Sequence, residues 1–182
     1  MPTPPTLLFR LFVLAWFTAG CGLVAATIDW EAESAVDTNM TITGPYSPST
    51  PEAKALLSGG EWFTGDNDGT VAQGRWQILV ATAGEYQFFA RRFWNHGAFR
   101  WHFDDQPWQT VESPLELLDS YELQPYVPVN WEKLGQVTLT AGAHQFSLEL
   151  LPTSHMEFNK AYGFDCFKLT DAEFLGQRLT TK

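Results

Sequence analysis

The sequence predicts an all-β protein, an antiparallel β-sandwich in a single domain. Three observations lead to this prediction. Apolar and polar residues alternate over many short segments, Gly-containing turns and two Pro-rich irregular stretches separate these segments, and no segment has the periodicity of a long helix. The chain has 182 residues, enough for one domain with a substantial core.

The N-terminal residues are typical of a secretory signal peptide. Residues 7–19 are apolar apart from Arg10 and Thr18, and the run is too short for a good transmembrane span. Val24-Ala25-Ala26 offers the small residues of ordinary cleavage, whereas Thr18-Ala19-Gly20-Cys21 resembles a bacterial lipoprotein box but has Thr where Leu is usual. We assign residues 1–26 to the signal and expect a secreted or periplasmic protein. The alternative is an outer-envelope lipoprotein attached through Cys21.

The composition of the mature chain limits its partners. Cleavage would remove Cys21 and leave Cys166 as the remaining one of two cysteines, so no internal disulfide is expected. Loss of Arg10 leaves 10 of the 11 basic residues against 21 acidic ones, a net charge of −11 that argues against nucleic acid and anionic membranes. The full sequence has 8 Trp, 5 Tyr and 14 Phe, enough to fill a core and to leave some rings for stacking on sugars.

Residues 28–33 predict the first strand. Because side chains alternate along a strand, Glu31 and Glu33 would lie on the same face and raise each other's pKa unless a cation lies between them. A hard cation such as Ca²⁺ would relieve this repulsion. The alternative is a solvated edge strand with two exposed acids.

The middle of the chain predicts a loop followed by regular strands. Residues 34–60 read as a long loop with one helical turn at 51–57, and residues 61–63 as a short strand. Residues 76–81 and 85–94 predict a hairpin with its turn at Ala83-Gly84, and residues 99–104 and 108–111 predict two further strands.

A second irregular stretch covers residues 112–129, with a possible short helix at 114–118. Residues 131–140 and 143–150 then predict a second hairpin around Ala141-Gly142, and residues 153–162 form the last loop.

Residues 163–169 predict the last strand, in which Asp165 is an acid among apolar residues. An acid in such a strand needs a partner or a metal. If the first and last strands are neighbours, Asp165 joins Glu31 and Glu33 in one site, and a metal there ties the chain ends together. Residues 27–170 would then be the sandwich and residues 171–182 a polar tail.

Four pieces of the sequence form an ordered set: Trp30-Glu31-Ala32-Glu33, the segment from Trp76 to Arg91, the segment from Trp131 to His144, and Gly163-Phe164-Asp165. In these pieces the chain resembles the calcium-dependent β-sandwich carbohydrate-binding modules of families six and thirty-five, which are galactose-binding-like jelly rolls. The resemblance implies a structural calcium held by Glu31, Glu33 and Asp165, and an oligo- or polysaccharide bound by loops at one end. The loop sequences depart from the family pattern, so the identity of the glycan does not follow.

Catalytic constellations are missing from the sequence. Asp104 and Asp105 are neighbours in a turn and point apart, the four His lack zinc-like spacing, and neither a phosphate loop nor a nucleophile elbow occurs. We therefore expect a non-catalytic module and leave open a catalytic partner on another chain.

Loop residues are the best candidates for contact with sugar. We predict Trp94 as a stacking platform, Asn95 and Asn159 as hydroxyl partners, and Tyr162 as a second platform or hydroxyl partner. A concave sheet face near Trp101 and Trp108 is the alternative site. The alternative function is a protein-interaction or cell-envelope structural module, since fold does not fix function.

Overall fold

A computed structural model describes residues 25–44, 47–66, 71–93, 97–112, 115–151 and 161–176. Cys21 and nearly all of the predicted signal peptide lie outside these ranges. Within them, no helix has the length and apolar character that crossing a membrane requires.

Two antiparallel sheets form the protein, which confirms the predicted β-sandwich. The first has six strands in the order β1-β11-β5-β9-β8, with β3 also paired to β11. These strands are β1 (Thr27–Glu31), β3 (Phe63–Asp66), β5 (Gly84–Phe93), β8 (Tyr121–Gln124), β9 (Val127–Leu139) and β11 (Ala161–Thr170). The second has five strands in the order β2-β4-β10-β6-β7. They are β2 (Asp37–Thr38), β4 (Gln73–Val80), β6 (Phe99–Phe103), β7 (Gln109–Val111) and β10 (Gly142–Leu150).

Aromatic rings fill the space between the sheets. Phe88 of β5 lies 4.8 Å from Trp101 and 5.2 Å from Phe146, measured between ring centroids. Trp76 of β4 contacts Phe146 and Phe167 in the same way, at 5.1 and 5.2 Å. Edge-to-face and tilted pairs of this kind add to the large apolar area that each ring buries. Most of the aromatic composition is therefore core.

The two predicted hairpins are wrong. The strands on either side of Ala83-Gly84 belong to different sheets, and so do the strands on either side of Ala141-Gly142. Each turn instead carries the chain from one sheet to the other. The two crossings lie side by side, because Gly84 is paired with Leu139 of β9 and Gly142 is paired with Val80 of β4. Alternation with a short Gly turn fits a hairpin and a crossing equally well, because both bury one face of each strand.

The first and last strands are neighbours, as predicted. β1 pairs antiparallel with β11, and Glu31 lies opposite Cys166. The first strand ends earlier than expected, at Glu31, and a 3₁₀ turn follows at Ala32–Ser34. Glu33 is therefore on this turn and does not share a strand face with Glu31.

The outer face of the six-stranded sheet is covered by irregular chain. Helix α1 (Pro51–Lys54) is the predicted single turn, and the Thr50 hydroxyl caps it by accepting from the Ala53 N–H. Phe174 packs on Phe89 and Trp131, with centroids 5.0 Å from each. Phe174, in the stretch that the sequence suggested was tail, is thus packed against the sandwich.

Two further differences lie in the second irregular stretch. Strand β8 and the start of β9 fall in residues 112–129, where no strand was expected. The helix expected at residues 114–118 is absent from described residues 115–118, where Leu117 instead bridges to Glu132.

Candidate functional site

A cluster of carboxylates lies where β1 and β11 meet. Strand pairing brings the last residue of β1, Glu31, beside Asp165 and Cys166 of β11, and one potential ligand atom from each of the three lies within 4.8 Å of the others. Ser58, in the loop after α1, links them: its hydroxyl donates to Glu31 Oε1 over 2.7 Å and its N–H donates to Asp165 Oδ1 over 2.9 Å.

Asp165 has a protein partner. Arg91 Nη1 donates to Asp165 Oδ2 over 2.6 Å, and the two side chains are 6 % and 0 % exposed. Burial nevertheless outweighs the Arg91 guanidinium and the Ser58 N–H, and it raises the pKa of Asp165 to about 7. The acid in the last strand thus has the partner that the sequence argument required, and that partner is an arginine.

Glu31 and Glu33 keep free oxygen atoms. Oε2 of each is buried and has no hydrogen-bond partner in the part of the chain that the structure describes. Both carboxylates converge on Gly59: a Cβ there would lie 2.4 Å from Glu33 Oε1 and 3.4 Å from Glu31 Oε2. Burial, and then the charges of Glu31 and Glu61, raise the pKa of Glu33.

This donor set suits a hard cation. Buried, unpartnered carboxylate oxygens are costly unless a cation or a proton satisfies them. All three acidic groups offer oxygen, which Ca²⁺ prefers. Burial and the nearby acids raise the pKa of the Cys166 thiol, so this residue stays protonated and is a poor metal ligand. The residues predicted from sequence therefore fit calcium, with Arg91 as an unpredicted neighbour.

The predicted sugar-binding residues divide into two groups. Trp94, Asn95 and Asn159 lie outside the described residues. Tyr162 is in β11 and 1 % exposed, and its hydroxyl donates to Leu151 O over 3.0 Å. Its ring is part of the core and offers no face for stacking, because β11 begins before it and turns this side chain inward. The prediction that Tyr162 is a stacking platform is therefore wrong.

The chain segments that flank these two loops are in contact. Residues 94–96 follow β5 and residues 152–160 precede β11, and these strands are paired, with Phe164 opposite Arg92. On the other side, Leu151 N–H donates to Ala98 O over 2.9 Å. The described residues that precede and follow both stretches therefore lie at the same end of the sandwich.

A second candidate site is a groove on the outer face of the five-stranded sheet. Pairing places Arg75, Ser147 and His102 in one row across β4, β10 and β6, and places Gln73, Glu149 and Arg100 in the adjacent row. These side chains point outward because their neighbours in sequence, such as Trp76, Phe103 and Leu148, are in the core. The groove has a volume of about 280 Å³, and Trp108 and Gln145 also line it.

Trp108 is the aromatic residue of the groove. It is partly buried, lies 4.0 Å from the His102 ring, and lies 4.4 Å below the guanidinium of Arg100, both measured to its ring centroid. Contact with a cation on one side fixes the ring. Trp101, the other aromatic suggested for this face, is 2 % exposed and points into the core.

The ionic groups around the groove are paired among themselves. Arg75 Nη1 lies 2.6 Å from Asp37 Oδ2, and Arg100 Nη2 lies 2.5 Å from Glu149 Oε2.

At the end of the groove, His144 Nδ1 lies 2.6 Å from Asp104 Oδ2 and Nε2 lies 2.9 Å from Thr140 O. Both ring nitrogens face acceptors, so the imidazolium form fits best, and the hydrogen bond with Asp104 raises the pKa of His144. Burial opposes ionisation of Asp104, but its hydrogen bonds with His144 and Gln145 outweigh burial and lower its pKa.

Sequence reasoning missed Arg91 and most of the groove. The Arg91-Arg92 doublet within an apolar strand was a usable signal, because two buried guanidinium groups need two buried acids. The structure supplies Asp165 for Arg91 and Glu132 for Arg92, the latter at 2.6 Å. The outward polar residues of three strands were a signal for the groove, but their side-by-side placement depends on register, which the sequence did not reveal.

Comparison with known proteins supports the fold. No family model matches the chain, and no curated protein matches it. Among solved structures, the GH26-CBM35 β-(1,4)-mannanase of Podospora anserina has a TM-score of 0.52 and 18 % identity over 81 % of this chain and 28 % of that one. The C-terminal CBM6 of LamC, a marine laminarinase from Zobellia galactanivorans, has a TM-score of 0.50 and 16 % identity over 80 % of this chain and 100 % of that one.

The insecticidal crystal protein Cry2Aa is as similar in structure, with a TM-score of 0.51, 8 % identity, and coverage of 79 % of this chain and 21 % of that one. At these identities the likeness establishes a fold that carbohydrate-binding modules share with other proteins. This chain spans only about a quarter of the mannanase, at 28 % coverage.

Proposed function

We propose that this chain is a secreted, non-catalytic carbohydrate-binding module. It holds an oligo- or polysaccharide in the groove on the outer face of the five-stranded sheet, and Trp94, Asn95 and Asn159 form a second contact set at the loop end. The observation that carries this proposal is Trp108, a ring fixed by Arg100 and His102 beside a row of amide and hydroxyl side chains.

The groove combines an aromatic face with hydrogen-bonding side chains, as sugar-binding sites do. An aromatic face gives affinity for the C–H faces of a sugar ring, and amide or hydroxyl groups such as Gln73, Gln145 and Ser147 orient its hydroxyls. Since Arg75, Arg100 and His144 already have carboxylate partners, the ligand needs no formal charge. A neutral glycan fits best. Shallow sites bind weakly, and we expect Kd values on the order of 10–1000 μM.

A structural calcium belongs to the same proposal. Glu31 and Glu33 hold it with their free buried oxygens, and Asp165 contributes from β11. The ion neutralises the carboxylates and fastens β1 to β11 and to the loop around Gly59. Its role is to stabilise the fold, and its site lies away from the groove.

Secretion and a catalytic partner are further parts of the proposal, supported by the N-terminal sequence and by the structural neighbours. We infer that residues 1–26 direct export, with attachment through Cys21 as the alternative. Since the mannanase and the laminarinase each join such a module to an enzyme, as their names state, a catalytic partner on another chain would suit this module.

Calorimetry of the protein on a panel of neutral and acidic oligosaccharides tests the proposal, with the sugars analysed afterwards for cleavage. Trp108→Ala should weaken binding about thirtyfold, which corresponds to about 2 kcal/mol of stacking and apolar contact. Tyr126→Ala is the matched control, because Tyr126 is 85 % exposed and lies between β8 and β9 of the other sheet. Equal affinities in both variants would remove the groove from the proposal, and released sugar would reveal a catalytic activity.

The described surface gives less support to a protein-interaction module. Its large exposed apolar side chains come from separate elements: Val36, Ile42, Val71, Leu79, Tyr126 and Leu175. Singly exposed apolar residues are normal on a soluble domain, whereas a docking surface needs a contiguous patch.

A further inference from the structure

A cleft on the outer face of the six-stranded sheet adjoins the carboxylate cluster, because Ser58, Arg91 and Cys166 belong to both, and it is separate from the groove. It has a volume of about 370 Å³, within the range that holds small ligands. Its floor is one row of side chains across three paired strands, in which Cys166 of β11, Arg91 of β5 and Trp131 of β9 are opposite one another. Lys168 and Asp29, a second opposed pair, line its side.

The cleft contains more hydrogen-bond donors than the surrounding protein uses. Arg91 donates only through Nη1, to Asp165 and to Leu56 O, so its Nε and Nη2 are without partners among the described residues. Trp131 is 2 % exposed, and its Nε1 is likewise buried with no hydrogen-bond partner in the described ranges. The free nitrogens of Arg91 are not buried atoms and can reach a ligand, whereas a buried donor such as Trp131 Nε1 is normally satisfied, and its presence here indicates a ligand or ordered water.

The cations of the cleft keep donors for a ligand. Lys168 lies above the Trp131 ring with its Nζ 5.9 Å from the centroid, and it donates to Asp29 Oδ1. The ammonium has three donors, so two remain after this contact. Arg91 and Lys168 are 6 % and 15 % exposed, and each pairs with one carboxylate, Asp165 and Asp29 respectively. Because both cations have N–H groups left over, the cleft favours a ligand that supplies several acceptor oxygens.

We propose that this cleft binds a small oxyanion group, a carboxylate or a sulfate, through Arg91, Lys168 and Trp131 Nε1. Planar guanidinium groups and indole N–H groups match such acceptors well. A carboxylate or sulfate carried by an acidic sugar fits the 370 Å³ volume as readily as the free ion does.

The segment 56–58 provides a direct readout because Leu56, Leu57 and Ser58 line the cleft. The amide hydrogens of this segment should exchange with solvent several-fold more slowly, to a plateau, as sodium sulfate or sodium glucuronate is added at constant ionic strength with chloride. Mass spectrometry measures this protection. Protection by both ions means that the oxyanion group itself is recognised, and protection by glucuronate alone means that the acidic sugar is recognised as a whole. Equal protection by neutral glucose, or no saturable protection by any of these, would overturn the proposal.

Two lysine variants separate specific binding from general attraction. Lys168→Met removes the ammonium from the cleft and keeps the aliphatic stem, and we expect it to weaken protection at least fivefold. Lys133→Met is the control, since Lys133 is an exposed residue of β9 outside the cleft that bonds to Gln87. Trp131→Phe, which keeps an aromatic ring but removes Nε1, should also weaken protection. Equal weakening by Lys168→Met and Lys133→Met would exclude a specific site.

Discussion

Arg91 and Asp165 form an ion pair, with Nη1 2.6 Å from Oδ2, inside a protein whose predicted metal site includes the same aspartate. They lie on the adjacent strands β5 and β11, and the Ser58 N–H binds the other carboxylate oxygen. The carboxylate cluster therefore divides into Asp165, which the protein largely satisfies, and Glu31 with Glu33, whose free buried oxygens it leaves for a cation. The two halves make different predictions.

Removing one partner of the buried pair should be costly when Asp165 is ionised. Arg91→Met leaves Asp165 without its cation at 0 % exposure, so at a pH above the raised pKa of Asp165 we expect the free energy of unfolding to fall by up to about 3–5 kcal/mol. The double variant Arg91→Met/Asp165→Asn should recover part of this loss, because no charge stays buried alone. Urea unfolding measures both. Arg75→Met is the control, as its exposed pair with Asp37 should contribute less than about 1 kcal/mol. Equal losses in the single and the double Arg91 variants would show that the pair is not coupled.

Calcium should stabilise the native state. At a hundredfold excess over Kd, an ion that binds only the native state adds about 2.7 kcal/mol to the free energy of unfolding. Chelation should remove this increment, and Glu33→Gln should remove the response to calcium. Glu85→Gln, a change at an exposed acid of β5, should retain it. A wild-type protein that melts alike in calcium and in chelator would leave the carboxylate cluster without a metal.

The stability of the calcium-free protein should fall as pH rises. The pKa of Asp165 is raised to about 7 in the native state, against about 3.9 when unfolded. The native state therefore binds the proton more tightly, and this contribution is complete below about pH 4 and is lost as pH rises through 7. In chelator, wild type should lose more stability between pH 5 and pH 8 than Asp165→Asn. His144, whose raised pKa acts in the same direction, is unchanged in both proteins.

Calcium should reverse this fall in stability with pH. Calcium binding needs ionised carboxylates, so the free energy that it adds to unfolding grows as pH rises. Parallel pH profiles of wild type and Asp165→Asn in chelator would contradict the assignment.

The sandwich and the meeting of its chain ends were predictable because both depend on local patterns. Phe99, Trp101 and Phe103 alternate with polar residues, and an acid at Asp165 had to be satisfied. The sheet in which each strand lies was not predictable, because Ala83-Gly84 and Ala141-Gly142 fit hairpins and crossings equally well.

The site was predicted only in part for the same reason. Glu33 reaches the cluster through a 3₁₀ turn and not by strand alternation, and Arg91 enters it through strand pairing. Long-range register is a property of the packed core. A single sequence therefore shows which residues form the core, but not which residues lie opposite them on neighbouring strands.

The end of the described chain should contribute to stability. Phe174→Ala removes a ring that contacts both Phe89 and Trp131, and we expect a loss of about 1–3 kcal/mol in the free energy of unfolding, less than for a fully buried Phe because Phe174 is partly exposed. Leu175→Ala is the adjacent control, since Leu175 is 65 % exposed and should change stability by less than about 0.5 kcal/mol. If the two variants unfold at the same urea concentration, residues 171–176 are a tail after all.

The last prediction concerns the loop end. The segments flanking residues 94–96 and 152–160 contact each other through Leu151 and Ala98, so Trp94 and Asn159 belong to stretches whose flanking residues lie at the same end of the sandwich. If they form a second contact set, Trp94→Ala should weaken glycan binding about thirtyfold, or about 2 kcal/mol, and Asn159→Ala by less. The loops adjoin β5 and β11, whereas the groove belongs to the other sheet, so independent sites are expected.

For a glycan that occupies both sites, the free-energy losses of Trp94→Ala and Trp108→Ala should add in the double variant to within about 0.5 kcal/mol. For a short glycan, only one of the two changes should weaken binding. Calorimetry with glycans of increasing chain length would show the length at which both changes begin to weaken it. A Trp94→Ala protein that is folded and binds every glycan as wild type does would confine binding to the groove.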